Sequence, residues 1–203
     1  MNGKAKSKIL VDRKNWLTYM FWSLVNVILI AIRFKNFQII GKENLPETGP
    51  FILVANHTSR WDGLLVYRTI GRPANFMVSP NELLGLQGSV LASMGSFPAD
   101  PRAAIIDHAQ AQLQKGEGVV IFPEGNTFSD GTTHPFKNGA ARIALSCAAK
   151  GMNIPLIPAA INYAADRSVA QIVLGEPLTL TDHLDEFKQD QLPALRTLSD
   201  RMH

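Results

Sequence analysis

Cysteine is nearly absent: Cys147 is the only one in 203 residues. A lone thiol excludes an internal disulfide and any thiolate-rich metal centre, and a reducing compartment is the natural setting. Cys147 lies in the Ala-rich run from Ala144 to Ala149 and reads as a packed small hydrophobe. Several chemical fingerprints are missing as well. There is no Gly-x-Ser-x-Gly elbow, since Gly95-Ser96-Phe97 lacks the second glycine, which argues against a serine hydrolase. Phosphate-loop and dinucleotide-binding glycine patterns are absent too. The histidines make no metal-ligand spacing, so neither a metal nor another cofactor is expected. Basic residues form no stripe interleaved with aromatics, which argues against nucleic acid as a partner. No internal repeat, low-complexity tract or long linker divides the chain, and its length suits one domain.

Apolar residues, by contrast, make up 46% of the sequence and are unevenly spread. From Trp16 to Ile32 the chain reads WLTYMFWSLVNVILIAI, about 17 residues without a charge, followed by Arg33 and Lys35. That is the lower edge of what spans a hydrocarbon core, and Thr18, Ser23 and Asn26 dilute it. Lys4, Lys6, Lys8, Arg13 and Lys14 precede it, contributing to a net charge of +3. A basic cluster beside an apolar segment suits an anionic membrane surface, each charge there being worth roughly 1 kcal/mol. A secretory signal would need a small-residue cleavage site, and none precedes Arg33. A spanning helix and a helix lying in one leaflet both fit. Residues 1–35 are thus expected to be a membrane-anchoring segment and 36–203 the folded domain.

Beyond Phe34, short β-branched runs alternate with longer helical ones. Strands are expected at Phe37–Ile40, Phe51–Ala55, Asn75–Val78, Val119–Phe122, Ile154–Ile161 and Ala170–Leu174. Helices are expected at Asp62–Ile70, Glu82–Ser93, Arg102–Gln114, Asn138–Ala149 and Pro193–Arg201. The alternation predicts an α/β fold, a single domain with a mostly parallel sheet flanked by helices. In such sheets chemistry collects at the carboxyl ends of strands. Two polar clusters fall there.

The first is Asn56-His57-Thr58-Ser59-Arg60-Trp61-Asp62. On a regular helix, five residues turn through roughly 140°, so His57 and Asp62 would not share a face. They meet only if His57 precedes the helix and Asp62 points back from its first turn, with Thr58 or Ser59 as N-cap. The carboxylate would then fix the imidazole tautomer and leave the other nitrogen to take a proton from an alcohol. A helix-capping role for Ser59 and Asp62 fits the same spacing. The second cluster is Phe122-Pro123-Glu124-Gly125-Asn126, followed by Thr127. Here a carboxylate stands at a turn made rigid by proline and open by glycine. An ordinary turn with a solvated glutamate reads equally well. Of the other histidines, His108 is expected on a solvated helix face, and His134, His183 and His203 in loops or at the terminus.

In this order, and about 60 residues apart, the two clusters resemble the lysophospholipid acyltransferase family. His57-x4-Asp62 and Phe122-Pro123-Glu124-Gly125 match two of its motifs. Gly95 to Arg102 and Ile154 to Ile161 echo two more, and Phe136-Lys137-Asn138-Gly139-Ala140 is similar to the stretch between the third and fourth. The resemblance implies fatty-acyl transfer from acyl-CoA or acyl-carrier protein to a glycerolipid hydroxyl at the cytoplasmic face of a membrane. The acceptor it implies is 1-acyl-sn-glycerol-3-phosphate. It also implies roles: His57 as general base with Asp62 as its partner, and Glu124, Gly125, Asn126, Thr127 and Arg102 around the substrate. An acyl groove is expected near Leu83 to Met94. One departure stands out. Family members acting on phosphorylated acceptors usually carry an arginine soon after Pro-Glu-Gly, and this chain has Asn126-Thr127-Phe128-Ser129. A guanidinium grips phosphate in two places. Arg60, Arg102, Lys137 and Arg142 could replace it, and a neutral lipid alcohol such as a quinol or diacylglycerol would need none of them. A non-catalytic lipid-binding protein of the same fold is the reading from outside enzymes.

Overall fold

The computed structural model describes residues 14, 16–99, 103–128, 130 and 132–203. Seven strands form one sheet in the order β1-β7-β6-β2-β5-β3-β4. They are β1 (Asn36–Ile40), β2 (Phe51–Ala55), β3 (Ala74–Val78), β4 (Ser96–Pro98), β5 (Gly118–Ile121), β6 (Leu156–Tyr163) and β7 (Val169–Leu174). Every pairing is parallel except β6 with β7. The helices are α1 (Trp16–Arg33), α2 (Asp62–Ile70), α3 (Gly85–Ser93), α4 (Ala103–Gln114), α5 (Gly139–Ala149), α6 (Thr181–Gln189) and α7 (Gln191–Met202).

All of β2 is buried, as expected of a central parallel strand covered on both faces. Successive strand residues point to opposite faces. Ile52 and Val54 therefore pack with Ile105 and Leu113 of α4, Ile143 of α5 and Leu198 of α7. Phe51, Leu53 and Ala55 pack with Leu65 of α2 and with Tyr19 and Ile30 of α1. The result is a three-layer α/β/α domain with α1 built into one outer layer.

α1 is long and apolar enough to cross a membrane by length and composition. Tyr19, Asn26 and Ile30 recur on one face and are buried, whereas Trp16, Leu17, Phe21, Leu24, Ile28 and Ile32 are exposed. The polar residues of this segment serve docking. Asn26 Nδ2 donates to Leu64 O of α2 at 3.0 Å, and Ser23 Oγ lies 3.2 Å from Tyr67 Oη.

Elsewhere the structure revises three expectations. The helix expected over Glu82–Ser93 divides into a 3-10 turn (Pro80–Leu83) and α3, because Leu84 is extended and Gly85 takes φ +63°. His183 lies buried in α6, where its Nε2 accepts from Arg201 at 3.0 Å. His108 packs its ring 5.0 Å from that of Phe97 instead of facing solvent alone.

Candidate active site

β2 and β5 are parallel neighbours, with Val54 opposite Ile121. Their carboxyl ends therefore open on the same edge of the sheet. That brings His57, just after β2, to Phe122-Pro123-Glu124-Gly125, just after β5. The His57 ring stacks on Phe122 with centroids 4.4 Å apart. Asn56 clamps the same loop to β6: its Oδ1 accepts from Ile161 N at 2.7 Å and its Nδ2 donates to Ile161 O at 3.0 Å.

Asp62 is fully buried at the first residue of α2. Its Oδ2 accepts from Thr58 N and Ser59 N, each at 2.7 Å, and meets His57 Nδ1 at 2.9 Å. An oxygen already accepting two backbone N–H bonds calls for a donor from the ring, which assigns the hydrogen to Nδ1. Nε2 then keeps its lone pair. The helix N-cap is Trp61, which makes no side-chain cap, rather than Thr58 or Ser59. Only the Asp62 half of the capping box forms, because Ser59 Oγ accepts from Trp61 N at 3.3 Å. Capping and imidazole orientation are thus done by the same carboxylate, which is why both readings fitted the spacing.

Asp62 Oδ1 accepts a short hydrogen bond from Tyr163 Oη at the end of β6. Burial first, then the nearby Asp62 carboxylate, push the Tyr163 hydroxyl well above the usual tyrosine range, so it stays a donor. Sequence reasoning missed Tyr163. The available signal was a polar aromatic closing a strand that ends on the same edge as β2.

Glu124 is 3% exposed, and its Oε1 accepts from His57 N at 2.9 Å. Its Oε2 is buried without a partner. The carboxylate thus faces the His57 backbone. Gly125 takes φ +74°, and a Cβ there would collide with Lys137 Nζ. Lys137 N in turn donates to Pro123 O at 2.9 Å, tying that lysine to the turn.

A cavity of about 1110 Å³ opens beside His57. Trp22, Val25 and Leu29 of α1 form one wall, and Val90, Leu91 and Met94 another. The second wall falls within the stretch from Leu83 to Met94 expected to hold an acyl chain. Gly125, Asn126 and Thr127 line the cavity with Arg60, Lys137 and Arg142, whereas Glu124 does not. Arg102 lies outside the described residues. Among the described residues no cluster of metal-ligating side chains occurs.

A buried carboxylate fixing an imidazole at the strand ends of an α/β sheet suits the class of proteins that draw a proton from a hydroxyl. Comparison with known proteins narrows that class. A family model described as Acyltransferase matches residues 36–162. The 1-acyl-sn-glycerol-3-phosphate acyltransferase of Borreliella burgdorferi is 24% identical over 185 residues, covering 83% of this chain and 72% of that protein. Its namesake in Pseudomonas aeruginosa is 27% identical over 167 residues, covering 78% of this chain and 59% of that protein. The solved structure of the 1-acyl-sn-glycerophosphate acyltransferase of Thermotoga maritima shares the fold. It has a TM-score of 0.69 at 20% identity, covering 90% of this chain and 75% of that one. The chain belongs to the acyltransferase family.

Proposed function

We propose that this protein moves a fatty-acyl group from a thioester, carried by coenzyme A or acyl-carrier protein, to the free hydroxyl of 1-acyl-sn-glycerol-3-phosphate. The observation that carries the reading is His57, oriented through Nδ1 by buried Asp62, facing a cavity large enough for a lipid chain. His57 Nε2 takes the hydroxyl proton as the acceptor oxygen attacks the thioester carbonyl. The C–S bond then breaks, and the imidazolium returns its proton to the departing thiolate. One C–O bond forms, one C–S bond is lost, and the acceptor's proton ends on sulfur.

The relatives' names support the phosphorylated acceptor. So does the basic lining at Arg60, Lys137 and Arg142, against which Glu82 is the one carboxylate among the described lining residues. The lack of an arginine in Asn126-Thr127-Phe128-Ser129, where phosphate-acceptor members usually carry one, favours a second reading, a neutral lipid alcohol. Residues 1–35 act as a membrane-attachment arm at the cytoplasmic face, and 36–203 as the transferase domain. Arg102 is a further candidate anion contact.

Membranes containing the protein, supplied with labelled acyl thioester and a panel of lipid alcohols, test both readings. Phosphatidic acid is the expected product, and His57→Ala should lower its formation about a hundredfold, the scale for losing a general base. Product from neutral alcohols alone would select the second reading. Turnover that survives His57→Ala would remove the mechanism.

A further inference from the structure

We infer that Tyr163 is a positioning residue for the reaction, holding the Asp62 carboxylate in the one orientation that presents His57 to the cavity. The inference rests on the proposed role of His57 as base. Three donors meet on Oδ2 of Asp62: Thr58 N, Ser59 N and His57 Nδ1. Tyr163 alone holds Oδ1 among the described residues. The two backbone donors belong to the loop that also carries His57, so they move with it. The Tyr163 donor comes from β6, a different part of the sheet, and fixes the carboxylate to the frame. Rotation about the Cβ–Cγ bond of Asp62 is thereby stopped from both ends. The hydroxyl also draws part of the carboxylate's charge away from the imidazole.

Tyr163 is itself held. Its ring packs 6.0 Å from that of Phe34, which closes the turn after α1 and meets Trp61 edge-on at 5.6 Å. The charged groups nearby are few. Arg167 sits 5.9 Å from the Tyr163 ring centroid, and Arg33 lies over Phe34 and Trp61 at 4.9 and 5.9 Å. Glu124 reaches the His57 backbone from the far side. Among them only the Tyr163 hydroxyl makes a described hydrogen bond to Asp62.

Tyr163→Phe removes that one oxygen and keeps the packing. The expected result is a kcat about tenfold lower, with KM for thioester and acceptor within twofold, in a folded protein whose melting temperature falls by the loss of one buried hydrogen bond. A readout independent of turnover is the downfield proton resonance of His57 Nδ1–H, assigned by its loss in His57→Ala. It should shift in Tyr163→Phe. An unmoved resonance, or a kcat equal to that of the unaltered protein, would overturn the inference while leaving the role of His57 intact. Full activity of His57→Ala would instead defeat the functional reading, with the resonance still reporting on Tyr163.

Discussion

Lys137 lies against the Pro123-Glu124-Gly125 turn. Its backbone is pinned to Pro123 O at 2.9 Å, its Nζ occupies the space a Cβ on Gly125 would take, and it lines the cavity with His57. Among the described residues that ammonium has no ion-pair partner. An amine held there can take the anionic charge that the missing arginine would otherwise meet. Charge-assisted hydrogen bonds are worth about 1.5–3 kcal/mol, and each 1.4 kcal/mol is tenfold in affinity. Lys137→Ala should therefore raise KM for a phosphorylated acceptor about tenfold or more and leave kcat nearly unchanged. Steady-state kinetics over a range of acceptor concentrations check this, and an unchanged KM excludes the contact. At this scale the sequence was legible where motif residues meet neighbours close along the chain, as His57 and Asp62 do. It was silent on Tyr163, whose partner lies 101 positions away, and on the direction of the Glu124 side chain, which turns to the His57 backbone through the pairing of β2 with β5. No local pattern encodes a contact that a parallel sheet creates.

Elements were legible in proportion to their periodicity. Phe51–Ala55 and Asp62–Ile70 end where their sequence patterns end, because the first is a continuous apolar run and the second closes on Gly71 at φ +71°. Ser96–Pro98 is three residues long, too short to show alternation. Helix α6 offers little apolar surface beyond Leu184 and Phe187, so its polar sequence hid it. The N-terminal helix is the instructive case. Its polar residues looked like dilution of a membrane segment, and Ser23 and Asn26 prove to be its contacts with α2. The opposite face leaves Phe21 and Leu24 exposed, an apolar surface suited to lipid. Placing a charge in an apolar membrane environment is costly. The double substitution Phe21→Glu with Leu24→Glu should shift the protein from the membrane pellet to the supernatant. Melting temperature should change little, since neither side chain belongs to the core. Flotation with anionic vesicles measures the shift, and full retention on vesicles would reassign that face.

At the scale of the whole molecule, the fold class was legible from alternation alone, and the sheet is mostly parallel as that alternation required. The reversal of β7 relative to β6 does not come from alternation but from the short connection, since a parallel crossover needs about a dozen residues or more. The turn between them, 164–168, takes the hairpin route, with Arg167 at φ +54°. The two cores that result lie on opposite faces of one sheet, and the site sits where strands from the middle of that sheet run out. Nothing in the linear order of the motifs announces that β6 closes the site from beside β2. It follows once β2 has β5 on one side and β6 on the other.

Because α1 supplies Trp22, Val25 and Leu29 to the wall of the cavity, an amputated version beginning at Asn36 would not be a tidier, water-soluble enzyme. It would be a reaction chamber missing one side, with the apolar surface of α2 laid bare. Such a truncate should sediment as aggregate and turn over no substrate even in detergent. A monodisperse, active truncate on size-exclusion chromatography would show that the arm is only a tether.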